Sequence, residues 1–192
     1  MAELHVIGDL ASGEQFGGMS YFCVFEMVTG EHWSVVEGRT SGCTHIMASG
    51  EDDTVAWCFP IDVHFTTNSV EGWPKISLQV WSVDSYGRKD LAGYGVAFLP
   101  PPSMEDQEVV VATWKPCYWN PNFFSRMYER LRLLVLGGNP VLRDKALIHT
   151  NDERFKLYTV SGGTVRLQLS VVSRGMQRLG IRCSSTGADH KP

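Results

Sequence analysis

Hydrophobic and polar residues alternate through most of the first hundred positions. Tyr21, Cys23, Phe25 and Met27 alternate with Phe22, Val24, Glu26 and Val28. Ile61, Val63 and Phe65 alternate with Asp62 and His64, and Ile76, Leu78 and Val80 with Ser77, Gln79 and Trp81. Successive side chains of a strand point to opposite faces, so a period of two carried by β-branched and aromatic residues predicts strands. Turn formers separate the runs at Thr29-Gly30, Glu37-Gly38, Ser49-Gly50, Gly72-Trp73-Pro74, Tyr86-Gly87 and Pro100-Pro101-Pro102. Many short strands punctuated in this way predict a sandwich or barrel.

One segment changes period. Asn120 suits an N-cap, Pro121 the first helical position and Gly137-Gly138 the far end. Between them Phe124, Met127, Tyr128, Leu131, Leu134 and Val135 recur at threes and fours, predicting an amphipathic helix over about 121–136. Arg126, Arg130 and Arg132 lie largely off that stripe. The expectation is a helix docked on the sandwich with a solvated basic face, and the alternative is a helix lying on a membrane surface. Beyond it, Phe155–Val160 and Thr164–Ser173 flank Ser161-Gly162-Gly163, the signature of a hairpin. In the second arm Val165, Leu167, Leu169 and Val171 alternate with Arg166, Gln168 and Ser170, which turns Arg166 outward. Residues 184–192 hold too little apolar surface to fold, leaving 2–183 as one domain with a disordered tail.

Composition agrees with a folded domain and adds a polarity. At 192 residues and 43% hydrophobic the chain can bury a core. Its net charge of −4 argues against a nucleic-acid binder. The charge is divided unevenly, with −11 over residues 1–120 and +7 over 121–183. An acidic body is thus joined to a basic C-terminal third. The opening residues, without a basic n-region or a long apolar stretch, lead us to expect no secretory signal, and no apolar run is long enough for a spanning helix. The five cysteines are odd in number, far apart and without a C-x-x-C pair, so reduced thiols in the cytosol are expected rather than a disulfide framework or zinc knuckle.

Catalytic signatures are missing. The six histidines are scattered without metal-pair spacing, and His64, on the polar side of its strand, reads as a solvated or structural residue. Gly93-Tyr94-Gly95 is too short for a dinucleotide fingerprint, and there is no phosphate-cradling loop or G-x-S-x-G elbow. An enzyme is not expected. The six tryptophans should serve mainly as core packing.

The stretch from Leu78 to Gly93 resembles the strand–loop–strand of C2 domains, in which acidic residues spaced D-x-D-x5-D hold calcium. Asp84 and Asp90 keep the last two positions and Ser82 stands at the first. Calcium needs six to eight oxygens, several of them anionic. With so few carboxylates retained, no calcium or other cofactor is expected.

Several further segments resemble the B9-domain family, a C2-like group of ciliary proteins. They are Leu4-His5-Val6-Ile7-Gly8, Phe59-Pro60-Ile61-Asp62-Val63-His64-Phe65, Gly72-Trp73-Pro74, Asp84–Gly87 running to Gly93-Tyr94-Gly95, Ser161–Val165 and Met176–Gly180. The resemblance runs in order over residues 2–183. It implies an all-β, C2-like antiparallel sandwich of eight strands, here with the inserted helix. It also implies a non-enzymatic scaffold subunit of the Meckel-syndrome (tectonic-like) complex at the ciliary transition zone and basal body. Implied partners are B9 domain-containing protein 1, the Meckel syndrome type 1 protein and other members of that complex. A diffusion barrier for membrane proteins and ciliogenesis would be the processes served. Arg126, Arg130, Arg132 and Arg166 are the expected contacts, for a sister protein or, in the alternative reading of a peripheral lipid-binding module, for an anionic membrane surface.

Overall fold

The computed structural model describes residues 1–102, 106–117, 127–128, 131, 138–150 and 154–180. Ten antiparallel strands form one curled sheet: β1 (Ala2–Glu14), β2 (Ser20–Val28), β3 (Trp33–Gly38), β4 (Ser41–Cys43), β5 (Met47–Ala48), β6 (Thr54–Thr67), β7 (Lys75–Val83), β8 (Lys89–Phe98), β9 (Gln107–Pro116) and β10 (Thr159–Arg174). The order is β3-β6-β1-β10-β9-β8-β7-β2-β4, with β5 added to β2. Eight of these strands have six or more residues, and β4 and β5 are short. The all-β sandwich expected from the sequence is therefore present.

The sheet folds over at β8 and β9, which share a single register pair, Tyr94 with Trp114. That seam divides it into two layers, β3-β6-β1-β10-β9 and β8-β7-β2-β4. The inward sets of the alternating strands meet between them. Leu4, Val6 and Leu10 of β1, Val63 and Phe65 of β6, and Leu167, Leu169 and Val171 of β10 face Cys23 and Phe25 of β2 and Ile76, Leu78 and Val80 of β7 in one cluster. Trp57 adds a polar tie, its Nε1 donating to the Tyr21 carbonyl of the opposite layer at 3.2 Å. Of the other tryptophans Trp33 and Trp114 are buried, Trp73 and Trp81 are half-buried, and Trp119 lies outside the described residues.

Tyr21 sits in the same corner with its ring buried. Burial first, then the nearby Asp53 carboxylate, pushes its phenol up to about 12. An unfolded tyrosine titrates near 10, so the folded state holds its proton more tightly. The resulting stability is complete below about pH 10 and is lost as pH rises towards 12. In alkaline denaturant titrations Tyr21→Phe should lack this loss, which amounts to about 2–3 kcal/mol for a shift of this size. A wild-type loss identical to that of Tyr21→Phe would contradict the assignment.

Two expectations need correction. Ser161-Gly162-Gly163 is not a turn. It lies within the single sixteen-residue β10, at a register shift against β9 between Ser161 and Thr164. The two glycines are there because neighbouring chain comes too close for side chains. A Cβ on Gly163 would stand 2.1 Å from the Glu14 carbonyl oxygen, and one on Gly162 would stand 2.6 Å from Thr113 Oγ1. Phe155, expected to start the first arm, lies instead in a 3-10 turn, Arg154–Lys156.

The second correction concerns the helix. Most of 121–136 lies outside the described residues. Met127, Tyr128 and Leu131 carry helical backbone. All three are exposed, at 48%, 69% and 57%, rather than packed on the sandwich. The tail 184–192 also lies outside the described residues.

Candidate functional site

Three surface features bear on function, and each is built from strand register. The first is the loop between β7 and β8. Gly87 turns it with φ +79. Asp84 Oδ1 accepts from the backbone N–H of Tyr86 (2.9 Å) and of Arg88 (2.8 Å), and its Oδ2 accepts from Arg88 Nε at 2.6 Å. Desolvation raises the Asp84 carboxyl, but the Arg88 side chain and these two backbone donors outweigh it and hold the carboxyl below the usual range. Asp90 Oδ1 accepts from Gly138 N at 2.8 Å, and Ser82 Oγ donates to the Asp90 carbonyl. The residual C2-type positions thus act as turn and docking acceptors. Among the described residues no group of three or more His, Cys, Asp or Glu side chains is arranged to hold a metal ion.

Arg166 follows the alternation and leaves the outer face of β10, where register places Ser12 of β1 and Val110 of β9 on either side. It is clamped there. Its guanidinium reaches Glu14 through Nε (2.7 Å) and Glu108 through Nη1 (2.8 Å), tying β1, β10 and β9 together. Those hydrogen bonds, Glu14 first, raise its already high pKa further. Of the four expected contacts, Arg126, Arg130 and Arg132 lie outside the described residues.

The second feature was not legible as a site. Strand register sets His5 of β1 directly opposite His64 of β6, and the rings stack with centroids 5.0 Å apart. His5 Nε2 meets Asp62 Oδ1 at 3.0 Å, and His64 Nε2 lies 3.9 Å from Glu3. Beside them opens a cleft of about 650 Å³, floored by Phe25, Phe59 and Ile61, with Glu37 and Arg39 at its rim. It lies where β3 ends and the chain crosses to β4, the side of the sandwich opposite the Tyr94–Trp114 seam. The one sequence signal was that each histidine is flanked by apolar residues in its strand, which assigns both to an outer face.

The third feature is a second, smaller core outside the seam. The described stretches 138–150 and 154–157 lie against the outer face of β8. Leu142, Ile148 and Leu157 pack there with Leu91, Tyr94 and Trp114. Asn139 Nδ2 donates to the Leu91 carbonyl, and Leu142 N to the Tyr94 hydroxyl. A short 3-10 turn, Lys145–Ile148, is capped by Asp144, whose Oδ1 accepts from Ala146 N at 2.9 Å. Alongside runs an apolar groove of about 800 Å³ lined by Pro116, Pro140, Val141, Leu147, Leu157 and Tyr158.

The described cysteines, Cys23, Cys43, Cys58 and Cys117, are free thiols. No helix among the described residues is long and apolar enough to cross a membrane.

The family model B9-C2, described as "Ciliary basal body-associated, B9 protein", matches residues 4–172. B9 domain-containing protein 2 of Bos taurus is 38% identical over 183 residues, covering 95% of this chain and 100% of the relative. B9 domain-containing protein 1 of Xenopus laevis is 25% identical over 186 residues, covering 95% of this chain and 90% of the relative. Among solved structures the chain is similar to the C2A domain of plant Extended Synaptotagmin 1, with a TM-score of 0.43 at 9% identity over 89% of this chain and 94% of that one.

Proposed function

The chain belongs to the family of ciliary basal body-associated B9 proteins, and from that membership we propose that it is a non-enzymatic scaffold subunit of the Meckel-syndrome (tectonic-like) complex at the ciliary transition zone. In this reading it helps form the diffusion barrier for membrane proteins and supports ciliogenesis. The observation that carries the reading is the family match over 4–172, which takes in nearly the whole sandwich. Its likeness to B9 domain-containing protein 1 supports assembly with sister B9 proteins, the Meckel syndrome type 1 protein being the other implied partner. An acidic stretch over 1–120 and a basic one over 121–183 suit a heterologous contact between related sandwiches.

The test is positional. Expressed with a fluorescent tag in ciliated cells, the protein should lie at the cilium base between basal body and axoneme. Its depletion should shorten or remove cilia and let plasma-membrane proteins enter those that remain. A protein spread evenly through the cytoplasm, with normal cilia after its depletion, would contradict the reading.

Calcium takes no part in this function. The Asp84 oxygens already serve three donors, and a bound ion would have to displace Arg88 and find several further anionic oxygens. Millimolar calcium or a chelator should leave the melting temperature unchanged. A rise of several degrees with calcium would overturn this part of the proposal.

A further inference from the structure

The groove beside the seam departs from an ordinary sandwich surface in two respects. It is apolar and concave, yet its side chains are solvated: Val141 is 51% exposed, Tyr158 56%, and Phe155 next to it 79%. Exposed apolar groups gathered in one hollow mark an interaction surface more often than scattered ones do. Its rim is also cationic. Arg143 and Lys156 line it, and Lys145 lies two residues beyond Arg143. Among the described residues Arg143 and Lys145 have no ion pair. The lone carboxylate in the lining, Asp144, is held as the cap of the following turn.

We propose that this groove, between Pro116, Val141, Leu147 and Tyr158, is the docking site for an acidic segment with apolar anchors presented by a sister B9 sandwich. The inference rests on the scaffold reading above and assigns it a surface. Charge complementarity selects the occupant. An apolar floor under a cationic rim suits apolar side chains flanked by carboxylates, and a body built like this one carries −11 over residues 1–120. A concave groove with an apolar floor suits side chains that project into it, as a protein segment presents. Leu142, Ile148 and Leu157 fix the groove by anchoring the segment to β8 and β9, so the surface is largely preformed and little ordering is needed on binding.

The experiment uses the full chain and recombinant B9 domain-containing protein 1 as the probe, with Kd measured in solution at low and high salt. The test variants are Arg143→Glu with Lys145→Glu, and Val141→Glu. Arg174→Glu with Arg178→Glu, at and beyond the far end of β10 and outside the groove lining, is the charge-matched control. Each variant should keep the wild-type melting temperature, since all five side chains are exposed. The groove variants should bind at least tenfold more weakly and the charge pair should flatten the salt dependence, whereas the control should bind as wild type does. Wild-type binding with no loss in either groove variant would overturn the groove assignment and leave the scaffold reading intact. No binding by the wild type would overturn the sister-protein contact on which the inference rests. Vesicles containing phosphatidylserine form a separate arm. Groove variants that lose vesicle binding while keeping the sister protein would overturn the proposal in favour of a lipid surface.

Discussion

Trp57→Ala is expected to cost about 3–5 kcal/mol of folding free energy, the usual range for truncating a large buried aromatic residue. The ring is 1% exposed and fills the space over Gly13, where a Cβ would lie 2.5 Å from its Cη2. Its Nε1 bond to the Tyr21 carbonyl crosses from β6 in one layer to β2 in the other. Removing the ring therefore opens a cavity and also takes one buried donor from the Tyr21 carbonyl. Trp57→Phe separates these contributions. It keeps most of the packing and loses the hydrogen bond, for which about 1–3 kcal/mol is expected because the acceptor stays buried. Denaturant midpoints at constant slope measure both. A Trp57→Ala variant within 1 kcal/mol of wild type would show that the layers are not joined through this residue.

The second large effect is local. Ile148→Ala removes the central anchor of the segment 138–150, a side chain 1% exposed against Leu91, Tyr94 and Trp114. The cost should be about 2–4 kcal/mol. It should fall on the docking of the segment rather than on the sandwich, because Ile148 belongs to the smaller of the two clusters. Trypsin should then cut faster after Arg143 and Lys145, and amide exchange should rise at Leu142, whose N–H bonds the Tyr94 hydroxyl. Amides of β1, β6 and β10 should keep their wild-type protection. Equal loss of protection in those strands would mean that the two clusters unfold as one unit.

The inner faces of β2, β6, β7 and β10 could be read from period two alone, because each buries alternate residues against the shared core. Gly162-Gly163 could not. A glycine pair signals both a tight turn and a strand pressed against neighbouring backbone, and only the position of Glu14 and Thr113 separates the two. Ser77 and Gln79 lie on the polar face of β7 as expected, yet they are buried, at 3% and 5%. The alternating pattern cannot announce that a second layer of chain crosses that side of the sheet. The crossing segment itself has no period, since Leu142, Ile148 and Leu157 are irregularly spaced. The stacked His5 and His64 depend on the β1–β6 register, which no single strand contains.

Charge was legible as a sum but not as a site. The basic C-terminal third is real in sequence, and Arg166 does face outward. Its charge is nonetheless shared between Glu14 and Glu108 of adjoining strands, and a guanidinium so clamped offers a partner less than an unpaired one. Arg143, one cation of the basic C-terminal third, stands unpaired among the described residues at the rim of an apolar hollow. Exposure and pairing, rather than sign, decide which cations remain available, and both are properties of the assembled sheet.

The proposed scaffold role is tested most directly by affinity capture of the tagged protein from ciliated cells, with quantification of what is retained. The account predicts recovery of B9 domain-containing protein 1 and the Meckel syndrome type 1 protein in amounts comparable to the bait, unchanged by chelation of calcium and reduced at high salt. Capture of the bait without either protein, under conditions where its cilium-base position is preserved, would contradict it.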